Sequence, residues 1–151
     1  MQIRRFRPEE RDLYLEMADS FYHSPAVLHA VPVSHLERTF DEMMRSDMYA
    51  EGLLLTADDG KPAGYMLLSK TYSQESGGRV VWVEELSVLP EYRGLGFGTQ
   101  ALEWVKENYA HFSRIRLEVE PDNDKAIALY RRLGFEELGY SQMVIERKME
   151  K

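Results

Sequence analysis

The chain has 151 residues, of which 44% are hydrophobic and 30% charged, and it carries a formal net charge of −7 at pH 7 with no cysteine. This length and balance predict one globular domain spanning residues 1–151, without disulfides, thiolate metal sites or a cysteine nucleophile. The acidic charge argues against a nucleic-acid surface, and the lack of a long apolar run or a signal peptide predicts a cytoplasmic protein without membrane contact.

The first fifty residues predict a strand followed by two helices. Residues 2–7 have the pattern of a short edge strand, and Pro8 is typical of the first turn of a helix. Ser34 and Glu37 have the spacing of a capping box, which predicts that a second helix begins there. The four histidines of the chain fit no metal-ligand spacing, so no metal site is predicted.

A β-hairpin is predicted next. The apolar runs 53–56 and 63–68 are separated by a segment that contains Asp59-Gly60, which is typical of a tight turn between two strands. A polar loop ending in glycine is expected over residues 71–78.

A strand, a glycine-rich turn and a helix follow one another in the middle of the chain. The apolar segments 80–83 and 86–89 flank Glu84 and Glu85, and three glycines at alternate positions lie within 94–98. As strand neighbours, the two glutamates are expected to point to opposite faces of the sheet. The order of elements is typical of a phosphate site, because glycines allow close backbone approach and a helix N-terminus attracts anions.

Two common phosphate loops do not fit this spacing. A nucleotide triphosphatase needs Gly-Lys-Ser/Thr, but Gly98 is followed by Thr99 with no lysine. A dinucleotide fingerprint needs a third glycine at the sixth position, which is Thr99 when counted from Gly94.

The last third predicts a strand, a helix and a terminal hairpin. Apolar and charged residues alternate over 115–120, so one strand face is charged, which indicates either a ligand cleft or an uncovered part of the sheet. A helix is predicted after Asn123, with Gly134 as its left-handed stop. Residues 136–140 and 142–148 are predicted to form a hairpin.

Two segments resemble the GNAT superfamily of N-acetyltransferases. Residues 93–98, Arg-Gly-Leu-Gly-Phe-Gly, fit that superfamily's Arg/Gln-x-x-Gly-x-Gly/Ala loop, and residues 123–135 fit its Asn-x-x-Ala-x-x-Leu-Tyr-x-x-x-Gly-Phe helix. The resemblance extends from about Val80 to Phe135. It implies an α/β fold of the α+β type, with a mixed, mostly antiparallel sheet of about six to seven strands flanked by about four helices.

The resemblance also implies acetyl-CoA as acetyl donor and assigns the site residues. Tyr130 is expected to act as general acid, with a core tyrosine as the rival interpretation. Glu84 is expected to be the base or amine anchor, with Glu85, Glu118 or a water relay as alternatives. Asn123 has a rival role as a helix cap. Cofactor binding is assigned to Leu86, Ser87, Val88, Arg93, Gly94, Leu95, Gly96, Phe97, Gly98, Thr99, Asn123, Ala126 and Tyr130.

The expected reaction is direct attack of a primary amine on the acetyl group in a ternary complex, because no cysteine is present to carry an acyl intermediate. The acceptor is a small molecule or a protein amine, and the sequence does not distinguish them. Homodimerisation is common in the superfamily. The alternative function is a sensor or structural module that binds acyl-CoA without turnover.

Overall fold

The structure is a computed structural model that describes residues 1–148, and the chain divides into two compact units, Met1–Glu118 and Val119–Lys151. The prediction of a single domain over 1–151 remains a prediction. The second unit contains one helix, α4 (Asp124–Arg132), within its described residues. The elements of the first unit are β1 (Gln2–Arg5), α1 (Arg11–Tyr22), α2 (Val33–Arg45), β2 (Ala50–Thr56), β3 (Pro62–Ser73), β4 (Gly78–Val88), α3 (Phe97–Asn108) and β5 (Arg114–Leu117).

The strands of the first unit form one sheet in the order β1-β2-β3-β4-β5. Neighbouring strands are antiparallel from β1 to β4, and β5 lies parallel to β4. This mixed, mostly antiparallel sheet with helices confirms the predicted α/β fold class. The five strands found within residues 1–148 are fewer than the six to seven expected.

One face of the sheet is covered by α1 and α2. Tyr14 of α1 and Phe40 of α2 are buried against Tyr65 of β3, and the three rings lie close together around Tyr14, with centroid separations of 5.6 and 5.7 Å. Burying each large side chain of this kind contributes roughly 1.5–3 kcal/mol. Apolar packing therefore fixes α1 and α2 on this face.

Helix α3 covers the opposite face. Side chains alternate along a strand, so Leu53 and Met66 point away from α1 and α2, and both are buried. Tyr109, which directly follows α3, donates a hydrogen bond to Glu51 on that same face. The helix thus runs from the glycine-rich turn across the α3 face of the sheet.

Two local predictions in the first unit are wrong. Helix α2 begins after Pro32, whose extended backbone (φ −61°, ψ 147°) makes it the N-cap, so Ser34 lies inside the helix and does not cap it. The loop predicted over 71–78 is shorter, since β3 continues to Ser73 and β4 begins at Gly78. Residues 71–73 pair in register with β4, and this tertiary pairing outweighs their polar character.

The terminal hairpin predicted over 136–148 is also wrong, because these residues form no strand. Met143, Val144 and Ile145 are 97%, 75% and 81% exposed, so neither face of the segment is buried to fix a strand register. Across the described residues, 1–148, no helix is both long and apolar enough to cross a bilayer.

Candidate active site

Strand β4 contains a β-bulge at Glu84. Val83 pairs with Leu68 and Glu85 pairs with Leu67, so Glu84 is an extra residue without a backbone register partner on β3. A bulge of this kind shifts the alternation of side chains along the strand by one position. After Glu84, the side chains of β4 therefore alternate between the two faces of the sheet in the opposite phase to those before it.

The bulge brings both glutamates to the face covered by α1 and α2. The hydroxyl of Ser69 donates to Glu84 over 2.6 Å, and the hydroxyl of Tyr65 donates to Glu85 over 2.6 Å. Ser69 and Tyr65 are four residues apart on β3, so they share one face. The expectation that the two glutamates point to opposite faces is wrong, because strand alternation does not hold across a bulge.

The two carboxylates differ in exposure. Glu84 is exposed, whereas Glu85 is buried and also accepts a hydrogen bond from the hydroxyl of Tyr22 at the end of α1. Burial, and to a lesser degree the charge of Glu84, raise the pKa of Glu85, although the hydrogen bonds from Tyr22 and Tyr65 oppose this shift. Glu84 is the carboxylate that an incoming molecule can reach.

Sequence reasoning did not identify Tyr22, Ser69 and Tyr65 as partners of these carboxylates. Tyr22 lies 63 residues from Glu85, and no local pattern joins them. The available signal was indirect: a carboxylate within an apolar strand requires donors, and hydroxyl side chains on facing elements supply them.

One edge of β4 is open beside the donor segment, which consists of the three β4 residues assigned to cofactor binding, Leu86, Ser87 and Val88. Strand β5 pairs with β4 only from Val80 to Val83. The N–H of Leu89 donates to the carbonyl of Ala63 on β3 over 2.8 Å. Amides of successive strand residues point to opposite edges, so the N–H of Val88 points away from β3. Within residues 1–118, the Val88 amide thus faces an edge that no strand occupies.

Close packing holds the donor segment on its other edge. Leu86, Ser87 and Val88 pair with Met66, Tyr65 and Gly64 of β3. A Cβ at position 64 would collide with the carbonyl oxygen of Ser87 and would lie 3.1 Å from the Cα of Val88. Glycine at this position lets β3 and β4 approach closely where the open edge begins.

The glycine-rich turn links this strand to α3. The Nε of Arg93 donates to the carbonyl of Val88 over 3.0 Å, which fixes the turn to the end of β4. Gly94 and Gly96 have positive φ, +77° and +84°, and Gly96 is the N-cap of α3. These left-handed conformations explain the two glycines.

The turn presents free backbone donors. Within residues 1–148, the N–H groups of residues 94–99 donate no hydrogen bond to another backbone or side-chain atom. A Cβ at Gly98 would meet nothing within 4 Å, so the fold itself leaves space there. Free amides at the positive end of a twelve-residue helix suit an anionic group such as a diphosphate.

The remaining predicted residues lie in the second unit. The Oδ1 of Asn123 accepts a hydrogen bond from the N–H of Ala126 over 3.2 Å, so Asn123 caps α4 as its rival role predicted. Tyr130 is half-buried, its ring lies 5.9 Å from Phe135 in an edge-on arrangement, and burial raises the pKa of its phenol. Gly134 has φ +99° and ends the helix as predicted. The cofactor roles of Asn123, Ala126 and Tyr130 remain predictions.

Comparison with known proteins identifies the family. Residues 12–135 match the family described as Acetyltransferase (GNAT). The protein therefore belongs to the GNAT family of acetyltransferases, which confirms the resemblance of the two motifs.

Two relatives of the chain are named as N-acetyltransferases. The chain is 31% identical over 124 residues to thialysine N-epsilon-acetyltransferase of Mus musculus, covering 73% of this chain and 72% of that protein. It is 28% identical over 140 residues to an uncharacterized N-acetyltransferase of Methanocaldococcus jannaschii, covering 89% of this chain but 60% of that relative's length.

A solved structure has the same fold. The structure of AAC(6')-Iy in complex with the bisubstrate analog CoA-S-monomethyl-acetylneamine superposes with a TM-score of 0.75 at 20% identity, covering 98% of this chain and 97% of that one.

Proposed function

We propose that the protein transfers the acetyl group of acetyl-CoA to a primary amine by direct attack in a ternary complex. The observation that carries this proposal is the set of free backbone N–H groups at the end of β4 and in the turn after it, which together form the proposed donor surface. The amide of Val88 faces an open strand edge, and the free amides of residues 94–99 follow within one short turn. Membership of the GNAT family supports N-acetyltransferase activity.

The donor would be held by backbone atoms. Acetyl-CoA supplies an activated thioester when it is bound. The N–H groups of residues 94–99 would hold its diphosphate, and the open edge of 86–88 would pair with its extended arm as a further strand does. Arg93 uses its Nε to fix Val88, which positions the turn, and its predicted contact with the cofactor remains part of the proposal. Both contact regions belong to the first unit.

The Val88 amide would polarise the thioester carbonyl. It belongs to a strand end fixed by Ala63 on one side and Arg93 on the other, so its direction is set before a ligand arrives. A preorganised backbone donor of this kind is worth roughly 3 kcal/mol of barrier.

Glu84 would receive or anchor the amine. An alkyl ammonium with a pKa of about 10.4 must lose a proton, which costs roughly 4–5 kcal/mol at pH 7. Exposure and the hydrogen bond from Ser69 favour Glu84 over the buried Glu85, whose carboxyl already accepts from two tyrosines. Glu118 and a water relay remain as alternatives.

Tyr130 would protonate the departing sulfur. Burial raises the pKa of its phenol, so the hydroxyl keeps its proton throughout the neutral range. General-acid assistance of this kind is typically worth about 10²–10⁴-fold in rate.

The proposal also includes three predictions: the acceptor is a small-molecule or protein amine, the location is cytoplasmic, and the protein forms a homodimer. One relative is named for thialysine, and a solved structure of the same fold holds a bisubstrate analog that contains acetylneamine, so amines of different size belong in the test.

A thiol-release assay tests the proposed activity. The purified chain is incubated with acetyl-CoA and a panel of amines: polyamines, lysine and thialysine, an aminoglycoside, and peptides with free N-termini. Release of free thiol that depends on one class of amine supports the enzyme. Saturable binding of acetyl-CoA without release for any amine supports the alternative, a sensor that binds without turnover.

A further inference from the structure

A cavity of about 830 Å³ opens on the α3 face of the sheet. Its lining includes Tyr72 of β3, Arg79 of β4, and Tyr109 and Phe112 after α3. Arg79 precedes Val88 by nine residues on β4, a separation of about 30 Å at the rise of a strand. The cavity is therefore distinct from the proposed donor surface, and the proposed function leaves it without a role.

The floor of this cavity is a network of ion pairs whose charges neutralise one another. Glu51, which is 5% exposed, accepts hydrogen bonds from Lys70 and Arg5, both over 2.9 Å, and from Tyr109. Asp47 pairs with the same two cations. Two carboxylates thus balance two cations, and the floor has little capacity left for a ligand charge.

The rim is different, because it carries an unneutralised cation. The Arg79 guanidinium lies 4.3 Å from the centroid of the Phe112 ring, and no carboxylate within residues 1–148 forms an ion pair with it. A guanidinium stacked on a ring keeps its N–H groups directed outward in a planar fork, which suits a carboxylate.

An aromatic wall stands directly beside this cation. Tyr72 is the register partner of Arg79 across the β3–β4 pair, and adjacent strands place the two side chains on one face. Tyr72 is 73% exposed and Tyr49, also in the lining, is 59% exposed. The exposed aromatic rings next to the Arg79 guanidinium offer a stacking surface together with a positive charge.

We infer that this cavity binds a small aromatic carboxylate, with the carboxylate on Arg79 and the ring against Tyr72. The size of the cavity suits a ligand of this class, since small-molecule sites are typically about 300–1,000 Å³. The Arg79 guanidinium attracts an anion at this position, although the net charge of the protein is −7. The inference is independent of the proposed acetyl transfer.

The probe for the test is 2-naphthoate, with 2-naphthamide and acetate as matched probes that lack the charge or the ring. The chain has two tryptophans, and only Trp104 lines the cavity, while Trp82 lies on the other face of the sheet. Their indole N–H signals in a ¹H–¹⁵N spectrum, assigned with single Trp→Phe variants, report which face the ligand occupies.

We expect 2-naphthoate to shift the Trp104 signal saturably and to leave the Trp82 signal unchanged. It should bind about tenfold more tightly than either matched probe. Arg79→Gln is expected to weaken 2-naphthoate binding about tenfold, as loss of a charged contact predicts. Arg116→Gln is the matched control, because Arg116 is stacked 4.1 Å from the Trp82 ring on the opposite face and should leave the affinity within about twofold.

Three results would overturn the inference. They are no saturable shift of the Trp104 signal, equal binding of 2-naphthamide, or an Arg79→Gln affinity equal to that of the unmodified protein. Arg79 is exposed, so its substitution leaves the fold intact, which the rest of the same spectrum verifies.

Discussion

The Tyr65 hydroxyl on β3 donates a 2.6 Å hydrogen bond to the buried carboxyl of Glu85 on β4. The Tyr22 hydroxyl at the end of α1 donates to the same carboxyl. A buried acid whose pKa is raised by desolvation holds its proton in the folded state at pH values where the unfolded chain has released it. This relationship makes the stability of the protein depend on pH in a definite direction.

Glu85→Gln is expected to reduce that dependence. The unfolded chain releases the proton near pH 4.5 and the folded chain at higher pH, so ionisation of Glu85 lowers the free energy of unfolding as pH rises from that value. The variant should therefore gain stability relative to the unmodified protein between pH 4.5 and pH 8. Urea denaturation across this range measures the difference, and a constant difference would contradict the prediction.

Glu84→Gln should lower kcat/KM for the amine at pH 7 by about 10²–10⁴-fold, the usual range for loss of acid–base assistance. Part of the loss should disappear as the pH rises towards about 10.4, the pKa of an alkyl ammonium, because a growing fraction of the amine then arrives without its proton. Initial-rate assays between pH 6 and pH 10 check both statements. Glu107→Gln, an exposed position on α3, is the matched control, and an equal effect of the two variants would remove Glu84 from the mechanism.

Tyr130→Phe should keep the affinity for acetyl-CoA within about twofold and lower kcat by about 10²–10⁴-fold. Burial raises the pKa of the phenol, so the unmodified protein should show no loss of kcat from this group between pH 7 and pH 9. Calorimetric binding and steady-state kinetics separate the two effects. Tyr49→Phe, at an exposed tyrosine, serves as control, and unchanged turnover in Tyr130→Phe would refute the assignment.

Gly96→Ala should weaken both the fold and acetyl-CoA binding. The residue has φ +84°, where a Cβ costs roughly 1–2 kcal/mol, and the strain is relieved by moving the amides of the turn. Gly98→Ala is the stability control, since its Cβ would meet nothing within 4 Å and alanine favours a helix. Thermal unfolding compares the stability of the two variants, acetyl-CoA titration compares Gly96→Ala with the unmodified protein, and equal stability of the two variants would argue against strain at Gly96.

Gly64→Ala should destabilise the sheet where the donor segment begins. Its Cβ would collide with the backbone of Ser87, which cannot rotate away as a side chain can, and such overpacking typically costs about 1–3 kcal/mol. The affinity for acetyl-CoA should fall as well, because 86–88 would shift. A variant that binds acetyl-CoA normally would show that the open edge of β4 is not used.

Sequence reasoning predicted the features that depend on local chemistry. The glycine turn, the Asp59-Gly60 hairpin, the cap at Asn123 and the stop at Gly134 each follow from what one residue type does to its own backbone, and the structure contains all four. The GNAT family also followed from two local motifs.

Features that depend on distant partners were not predictable in this way. The bulge at Glu84 exists only in the pairing of β4 with β3, and the donors to Glu85 come from residues 20 and 63 positions away. The hairpin predicted over residues 136–148 did not form, because a strand register is fixed only where one face has something to pack against, and Met143, Val144 and Ile145 are exposed.

The extra residue in β4 has a further consequence for how this stretch tolerates change. A substitution near Glu84 alters one contact, whereas a single-residue insertion or deletion there would exchange the inner and outer sides of everything up to the glycine turn. Relatives that align without gaps through these few positions should therefore keep the direction in which each position of this strand points, even where the side chains themselves differ.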